Sequence, residues 1–369
     1  MEDHRLVLSE FQDNLKNERK TLFQNDFQYH MTQESCDTLQ NMQKLIAGYE
    51  ELYHKPPVAG SKVLLLFGLL QGLFVAIDCL YTIGRSTSLN KMMININQNI
   101  VLREIKHIRN DIVGHPSYRY YEDNVVGFCA LDIENLIEDE LVYDSVVYVD
   151  HTIKTTKHRV KMLEVIKQYY QESNEVLSQT LQFFKMKQSK STLNLSFEVN
   201  HLAELFMSGT KDHAMLDTIE EHFKAGLHLK KDSNHRVIWR IRLIRYLFSQ
   251  AKNDYIDYLT ILEMYKLYSL LYHFEKEINP DCVFRFIRFV PNPEFILLKN
   301  RIKKTKKRHY DPSYLHDNSH PLYQSNFEAL LKQHSEDRNT DHLREWIHKQ
   351  LQENNRDMMY LIGSELKLK

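Results

Sequence analysis

The residues of this chain that could do chemistry are concentrated at positions 109–116, which read Arg-Asn-Asp-Ile-Val-Gly-His-Pro. An arginine, a polar neighbour and a histidine lie close together there. An arginine guanidinium can hold a phosphate through several donors at once and keeps its charge. A histidine can give or take a proton near neutral pH. Together, Arg109 and His115 could support cleavage of a phosphodiester without a metal ion.

A helix over about 89–113 must position these residues. Its apolar face carries residues at i, i+4, i+7 and i+11, namely Val101, Ile105, Ile108 and Ile112. Gly114 is predicted to end this helix, and Pro116 fits that stop. At about 3.6 residues per turn, Arg109 and His115 would not share a face of an unbroken helix. The break at Gly114 is therefore what would let His115 fold back towards Arg109.

Spacing alone leaves a second interpretation open. With 19 histidines in 369 residues, several gaps of this size arise by chance. Arg109 would then lie on a solvated helix face and His115 in a loop. The motif, however, resembles the R-X4–6-H signature of HEPN-domain proteins, a superfamily of small helical bundles that includes many prokaryotic ribonucleases. A polar residue usually follows the arginine in that family, as Asn110 does here, and segment 67–83 resembles the preceding helix in some bacterial members.

The resemblance covers about residues 35–186 and implies metal-independent RNA cleavage, with no cofactor. In that reaction the ribose 2′-OH attacks the adjacent phosphorus and leaves a 2′,3′-cyclic phosphate and a 5′-OH. The resemblance implies that His115 transfers protons, that Arg109 stabilises charge on the non-bridging oxygens, and that Asn110 orients His115 or binds the phosphate. It also implies a homodimer with a shared active site. A role in toxin–antitoxin or anti-phage defence, with an antitoxin or regulatory partner, is implied in the same way.

Three further polar residues could support the motif. Asp111 could hydrogen-bond His115 or Arg109, or it could be an exposed helix carboxylate. Gln71 and Asp78 are seven residues apart and so share one face of an apolar helix. Because buried polar groups need partners, they are expected to line the pocket or contact the motif helix. A polar stripe at a subunit or inter-helix contact is the alternative.

Two segments are candidates for RNA contacts. Arg119 and Tyr120, flanked by two further tyrosines, could stack on splayed bases or could pack their loop against the bundle. The strongest basic run could bind phosphates or could be a solvated helix face. The members assigned to RNA binding are Lys303, Lys304, Lys306, Lys307 and Arg308.

Composition limits the functional classes. The net charge of -1 means that nucleic-acid contacts must come from local patches. Four widely spaced cysteines argue against a zinc ribbon and a disulfide framework and favour a reducing, cytoplasmic location. The histidines within 201–235 lack a recognisable ligand motif, so no metal site is expected. The apolar segment 63–77 is too short for a membrane span and is predicted to be a buried helix.

Scarce glycine and proline predict a mostly all-α protein. We expect an N-terminal helical segment (1–34), a HEPN-like helical domain (35–186), a linker (187–194) and a C-terminal helical domain of unknown role (195–369). A short β-hairpin insertion is expected within 124–150, and helix from about 152 to 186. The alternative to a ribonuclease is a non-catalytic helical dimer that binds nucleic acid or a protein partner.

Overall fold

The computed structural model describes most of the chain and confirms a mostly helical fold. The described residues are 2–17, 23, 25–55, 58–87, 99–114, 119–121, 125–133, 136, 139–149, 152–189, 194–229, 235–278, 290–312, 315–316, 323–336 and 338–367. The helices of the first half are α1 (Glu2–Asn17), α2 (Asp26–Leu52), α3 (Ala59–Thr87), α4 (Ile100–Arg109) and α5 (Met162–Ser189).

Every element in the described part of the second half is a helix. Its helices are α6 (Leu195–Met207), α7 (His213–Leu227), α8 (Arg236–Ser249), α9 (Asp254–Ile278), α10 (Pro293–Lys304), α11 (Tyr323–Gln333), α12 (Asp341–Gln352) and α13 (Arg356–Leu366). Helices α12 and α13 are separate because Asn354 adopts a left-handed conformation between them. Helix α10 begins where Asn292 accepts the amides of Glu294 and Phe295.

An antiparallel sheet of four strands separates α4 from α5. The strands are β1 (Arg119–Tyr121), β2 (Val125–Leu131), β3 (Glu140–Val149) and β4 (Thr152–Lys161), paired in sequence order. The predicted hairpin within 124–150 corresponds to β2 and β3. The predicted helix from about 152 is wrong over its first ten residues, because Thr152–Lys161 pairs with β3 along its whole length. This segment is largely exposed and rich in β-branched residues, and the apolar helical periodicity begins only at Met162.

Among the described residues, most buried apolar side chains belong to one of two clusters. One runs from Leu8 in α1 to Ile278 at the end of α9, and the other runs from Leu243 in α8 to Leu366 in α13. The first cluster contains residues from both sides of the predicted 187–194 linker. The ring of Phe183, which precedes the linker, lies 5.2 Å from the ring of Phe274, which follows it. The division into domains stays a prediction.

Helix α3 is the most apolar element. It extends beyond the apolar segment 63–77 at both ends, from Ala59 to Thr87. Among the described residues it is the one helix long and apolar enough to cross a membrane, although length and composition do not separate a span from a core helix. Its residues Leu69, Leu73 and Ile77 are fully buried in the first cluster. Helix α2 packs so closely on α3 that a Cβ at Gly72 would lie 2.8 Å from Leu45.

Candidate functional site

The helix that carries the motif is fixed at both ends. At its start, the Asn99 side chain accepts the amide of Leu102 at 2.9 Å and donates to Glu172 of α5 at 2.5 Å. At its end, α4 passes into a π-helical turn, Asn110–Gly114. Such turns insert one extra residue into a helix and are frequent at functional sites. Ile105 and Ile112 are buried on either side of this transition and fix it to the core.

The Arg109 side chain lies half-buried against α3. Its Nε and Nη2 donate to Oε1 of Gln71 at 3.0 and 2.9 Å, and its Nη1 donates to Oδ1 of Asn110 at 3.0 Å. A guanidinium has only donors, so the amide of Gln71 must present its oxygen. Gln71, predicted from its face of the apolar helix, thus contacts the first residue of the motif directly.

The partners of Arg109 orient its charge without cancelling it. Both acceptors are neutral amides, and within the described part of the chain the guanidinium has no carboxylate partner. By contrast, Arg245 contacts both Asp217 and Glu220. Of the five N–H groups of Arg109, three donate to Gln71 and Asn110, and the other two have no acceptor among the described residues.

A second cation lies beside Arg109. The Lys106 ammonium forms an ion pair with Asp78 at 2.7 Å, so Asp78 also contacts the motif helix. The ring of Phe74 supports both cations: its centroid lies 4.3 Å from Cζ of Arg109 and 4.5 Å from Nζ of Lys106. Cations are attracted to an aromatic face without being neutralised.

Gly114 lies against the Arg109 side chain, a contact that the sequence did not show. Its φ is not positive, unlike that of Gly209. A Cβ at Gly114 would lie only 2.7 Å from Nη1 of Arg109 and 3.4 Å from Oδ1 of Asn110. Glycine therefore leaves room for the guanidinium. Its predicted role in ending the helix depends on residues 115–118, which lie outside the described residues, and stays a prediction.

Asp111 contacts the sheet. It accepts a hydrogen bond from the Tyr143 hydroxyl of β3 at 3.4 Å. Burial is the main cause that raises the pKa of Tyr143, and the nearby Asp111 carboxylate is the second. The Tyr143 hydroxyl therefore keeps its proton and donates a hydrogen bond to Asp111. The Tyr143 ring stacks on His158 of β4 at 4.5 Å, and His158 hydrogen-bonds Ser145 at 2.8 Å. This chain of contacts ties the sheet to the turn that follows Arg109.

The remaining predicted site residues are placed only in part. His115 lies outside the described residues, so its position relative to Arg109 stays a prediction. Arg119 and Tyr120 lie in β1, opposite Gly127 and Val126.

The predicted basic run divides into two groups. Arg308 caps α10 by donating twice to the carbonyl of Ile302, at 3.0 and 2.9 Å. The four lysines of the prediction are exposed and form no ion pair with any other described residue: Lys303, Lys304, Lys306 and Lys307.

The sequence alone did not indicate Phe74 and Lys106 as site residues. Phe74 follows Gln71 by three residues, and Lys106 precedes Arg109 by three, so helix periodicity could have placed both on the facing sides of their helices. Tyr143 carried no such signal, because its contact with Asp111 joins a strand to a helix 32 residues away.

Comparisons of this chain with protein-family models, with curated proteins and with solved structures find no match, so its function must be inferred from the site itself.

Proposed function

We propose that this protein is a metal-independent endoribonuclease of the HEPN type, with Arg109, Asn110 and His115 as its catalytic residues. The observation that carries the proposal is the state of Arg109. Its guanidinium is held by two neutral amide oxygens, over an aromatic ring, and two of its N–H groups have no acceptor within the described part of the chain. A charge that is oriented in advance and not neutralised is suited to stabilising a phosphorane-like transition state.

In the proposed reaction the 2′-oxygen attacks the adjacent phosphorus while the bond to the 5′-oxygen breaks. One proton leaves the 2′-OH and one is delivered to the departing 5′-oxygen, giving a 2′,3′-cyclic phosphate and a 5′-OH. We assign proton transfer to His115, whose ordinary pKa of about 6.5 suits both directions near neutrality. Arg109 binds the non-bridging oxygens, where negative charge increases most.

Asn110 and Gly114 have defined parts in this scheme. The Asn110 amide accepts one N–H of Arg109 and so restricts the plane of the guanidinium. Gly114 leaves the space beside Nη1 open. His115 follows Gly114 directly in the chain, and we assign its imidazole to the same phosphate.

The test is cleavage of total RNA by the purified full chain in EDTA. We expect the parent to cleave and to leave 2′,3′-cyclic phosphate ends, and we expect Arg109→Ala and His115→Ala to lose this activity. The matched controls are Arg242→Ala and His342→Ala, which remove one exposed arginine and one exposed histidine elsewhere. Both controls should cleave like the parent.

Other outcomes would contradict the proposal. Equal cleavage by the two motif variants would move the activity to another site or to a contaminant. Cleavage that requires a divalent cation would contradict the mechanism. A third outcome is that the parent protein binds RNA without cleaving it, even when a cellular extract is added. That result would favour the alternative of a non-catalytic binding protein.

We further propose a cytoplasmic homodimer with a shared site, acting in defence and restrained by an antitoxin or regulatory partner. The shared site can be tested by subunit mixing. If Arg109 of one protomer works with His115 of the other, mixed Arg109→Ala and His115→Ala proteins should regain part of the activity. No recovery after verified subunit exchange would show that each protomer carries a complete site.

A further inference from the structure

Two cations of α4 are held at one aromatic ring by one face of α3. Phe74 lies three residues after Gln71 and four before Asp78. Gln71 binds Arg109, Asp78 binds Lys106, and both cations lie within 4.5 Å of the Phe74 centroid. The three α3 side chains and the two α4 cations therefore form one unit.

This arrangement is electrostatically asymmetric. Two like charges at the same ring repel each other, and the repulsion is stronger in a partly buried site than in water. Among the described residues, Lys106 has a carboxylate partner and Arg109 has none; the side chain of that partner, Asp78, is 49% exposed, against 23% for Lys106. A pair of cations with a single exposed counter-charge is arranged to attract a further anion.

We propose, on the basis of the ribonuclease function above, that Lys106 is a second phosphate-binding residue of the same site. It would contact the phosphate next to the one held by Arg109, since the two residues are one helical turn apart on the same face of α4. Phe74 is a positioning residue for both cations. Asp78 is a local anion that competes with the substrate for Lys106.

The substrate class follows from this arrangement. Two cations one turn apart fit consecutive phosphates of a single polynucleotide strand, whereas a mononucleotide supplies only one phosphate for them. We therefore expect the site to select a strand by its backbone and to bind a mononucleotide or inorganic phosphate far more weakly.

The test measures binding rather than cleavage, so it does not depend on the proposed reaction. The full chain carrying His115→Ala is titrated onto a short labelled single-stranded RNA, and fluorescence anisotropy is recorded over a salt series. Adding Lys106→Gln should weaken binding several-fold and reduce the slope of log Kd against log salt by about 0.7, the value for one phosphate contact on a single strand. Phe74→Leu should weaken binding with less change in slope, because both charges remain.

Asp78→Asn provides the sharpest readout because its expected effect has the opposite sign. It releases Lys106 and removes a negative charge, so RNA binding should tighten several-fold. A purely structural ion pair between Lys106 and Asp78 would instead make both substitutions neutral or harmful.

The matched controls are Lys224→Gln and Asp217→Asn. Lys224 has a similar exposure of 21% and pairs with Glu220 at 2.5 Å, while Asp217 is 58% exposed and contacts Arg245. Both controls should bind RNA like the His115→Ala parent, and thermal unfolding should verify that every variant is folded.

The inference is overturned if Lys106→Gln matches Lys224→Gln, if Asp78→Asn weakens binding, or if a mononucleotide competes as well as the strand. An absence of RNA binding by the parent overturns it as well. If the expected binding pattern is found but the chain never cleaves RNA, the phosphate-binding assignment stands and the proposed catalytic function fails.

Discussion

The side-chain oxygen of Gln71 accepts two hydrogen bonds from Arg109, at 3.0 Å from Nε and 2.9 Å from Nη2. The contact joins the most apolar helix of the protein to the last residue of the motif helix. A neutral amide in this place orients the guanidinium and leaves its full charge available. A carboxylate in the same place would cancel that charge.

We therefore expect Gln71→Glu to abolish most of the proposed RNA cleavage while leaving the fold intact. The new carboxylate would pair with Arg109 and compete with the substrate phosphate, and half-burial would strengthen that competition. Cleavage rate and thermal unfolding are measured together. The control is Gln171→Glu on the exposed face of α5, which adds the same charge. Full activity of Gln71→Glu would show that the charge of Arg109 is not used.

Gly114→Ala should reduce activity with little or no loss of stability. Gly114 has no positive φ, so alanine suits its backbone, but the added Cβ would meet Nη1 of Arg109 at 2.7 Å and displace the guanidinium. The comparison is Gly48→Ala in α2, where no atom lies within 4 Å of the added carbon. That control should keep its activity and gain about 0.5–1 kcal/mol of stability. An active Gly114→Ala protein would contradict the close approach.

Gly363→Ala should destabilise the C-terminal half. A Cβ there would lie 1.7 Å from the carbonyl oxygen of Leu315, and a backbone atom cannot rotate away as a side chain can. We expect a loss of about 3 kcal/mol or more in the free energy of unfolding, at the upper end of overpacking effects. Denaturant unfolding of Gly363→Ala and of Gly68→Ala, whose surroundings are open, measures the difference. Equal stability of the two proteins would disprove the contact.

The buried carboxyl of Glu275 should make stability depend on pH. It accepts hydrogen bonds from the backbone amide of Ser196 at 3.1 Å and from the Ser196 hydroxyl, which joins α9 to the start of α6. Burial outweighs these bonds and raises the pKa of Glu275 from 4.5 to about 7. The folded protein thus keeps a proton that the unfolded chain releases, so this stabilisation is complete below pH 4.5 and is lost as the pH rises through about 7.

Glu275→Gln removes that titration. The free energy of unfolding of Glu275→Gln, relative to that of the parent, should be higher at about pH 8 than at about pH 5. The difference should reach up to about 3 kcal/mol, since each pKa unit corresponds to about 1.4 kcal/mol. Denaturant unfolding at the two pH values gives the difference. Glu345→Gln, at an exposed position of α12, is the control and should leave the pH dependence unchanged. An identical pH dependence in Glu275→Gln and the parent would show that this carboxyl titrates normally.

The sequence by itself determined the helical class, the position of the apolar helix and the place of the motif, because these follow from local periodicity and from breaker residues. The helical period of about 3.6 residues was enough to predict the apolar stripe of α4 and the shared face of Gln71 and Asp78. Helix periodicity gave the wrong prediction at Thr152–Lys161. This segment forms β4 because it pairs with β3, and that pairing depends on a second segment of the chain.

Only the tertiary structure decided what the motif residues touch. Phe74, Lys106 and Tyr143 belong to the site because α3, α4 and β3 pack against one another, and hydrogen bonds and cation–π contacts depend on distances that no local pattern encodes. The role of Gly114 changed for the same reason. Its residue type suggests a helix end, but its closeness to the Arg109 guanidinium exists only once the π turn has brought the two together.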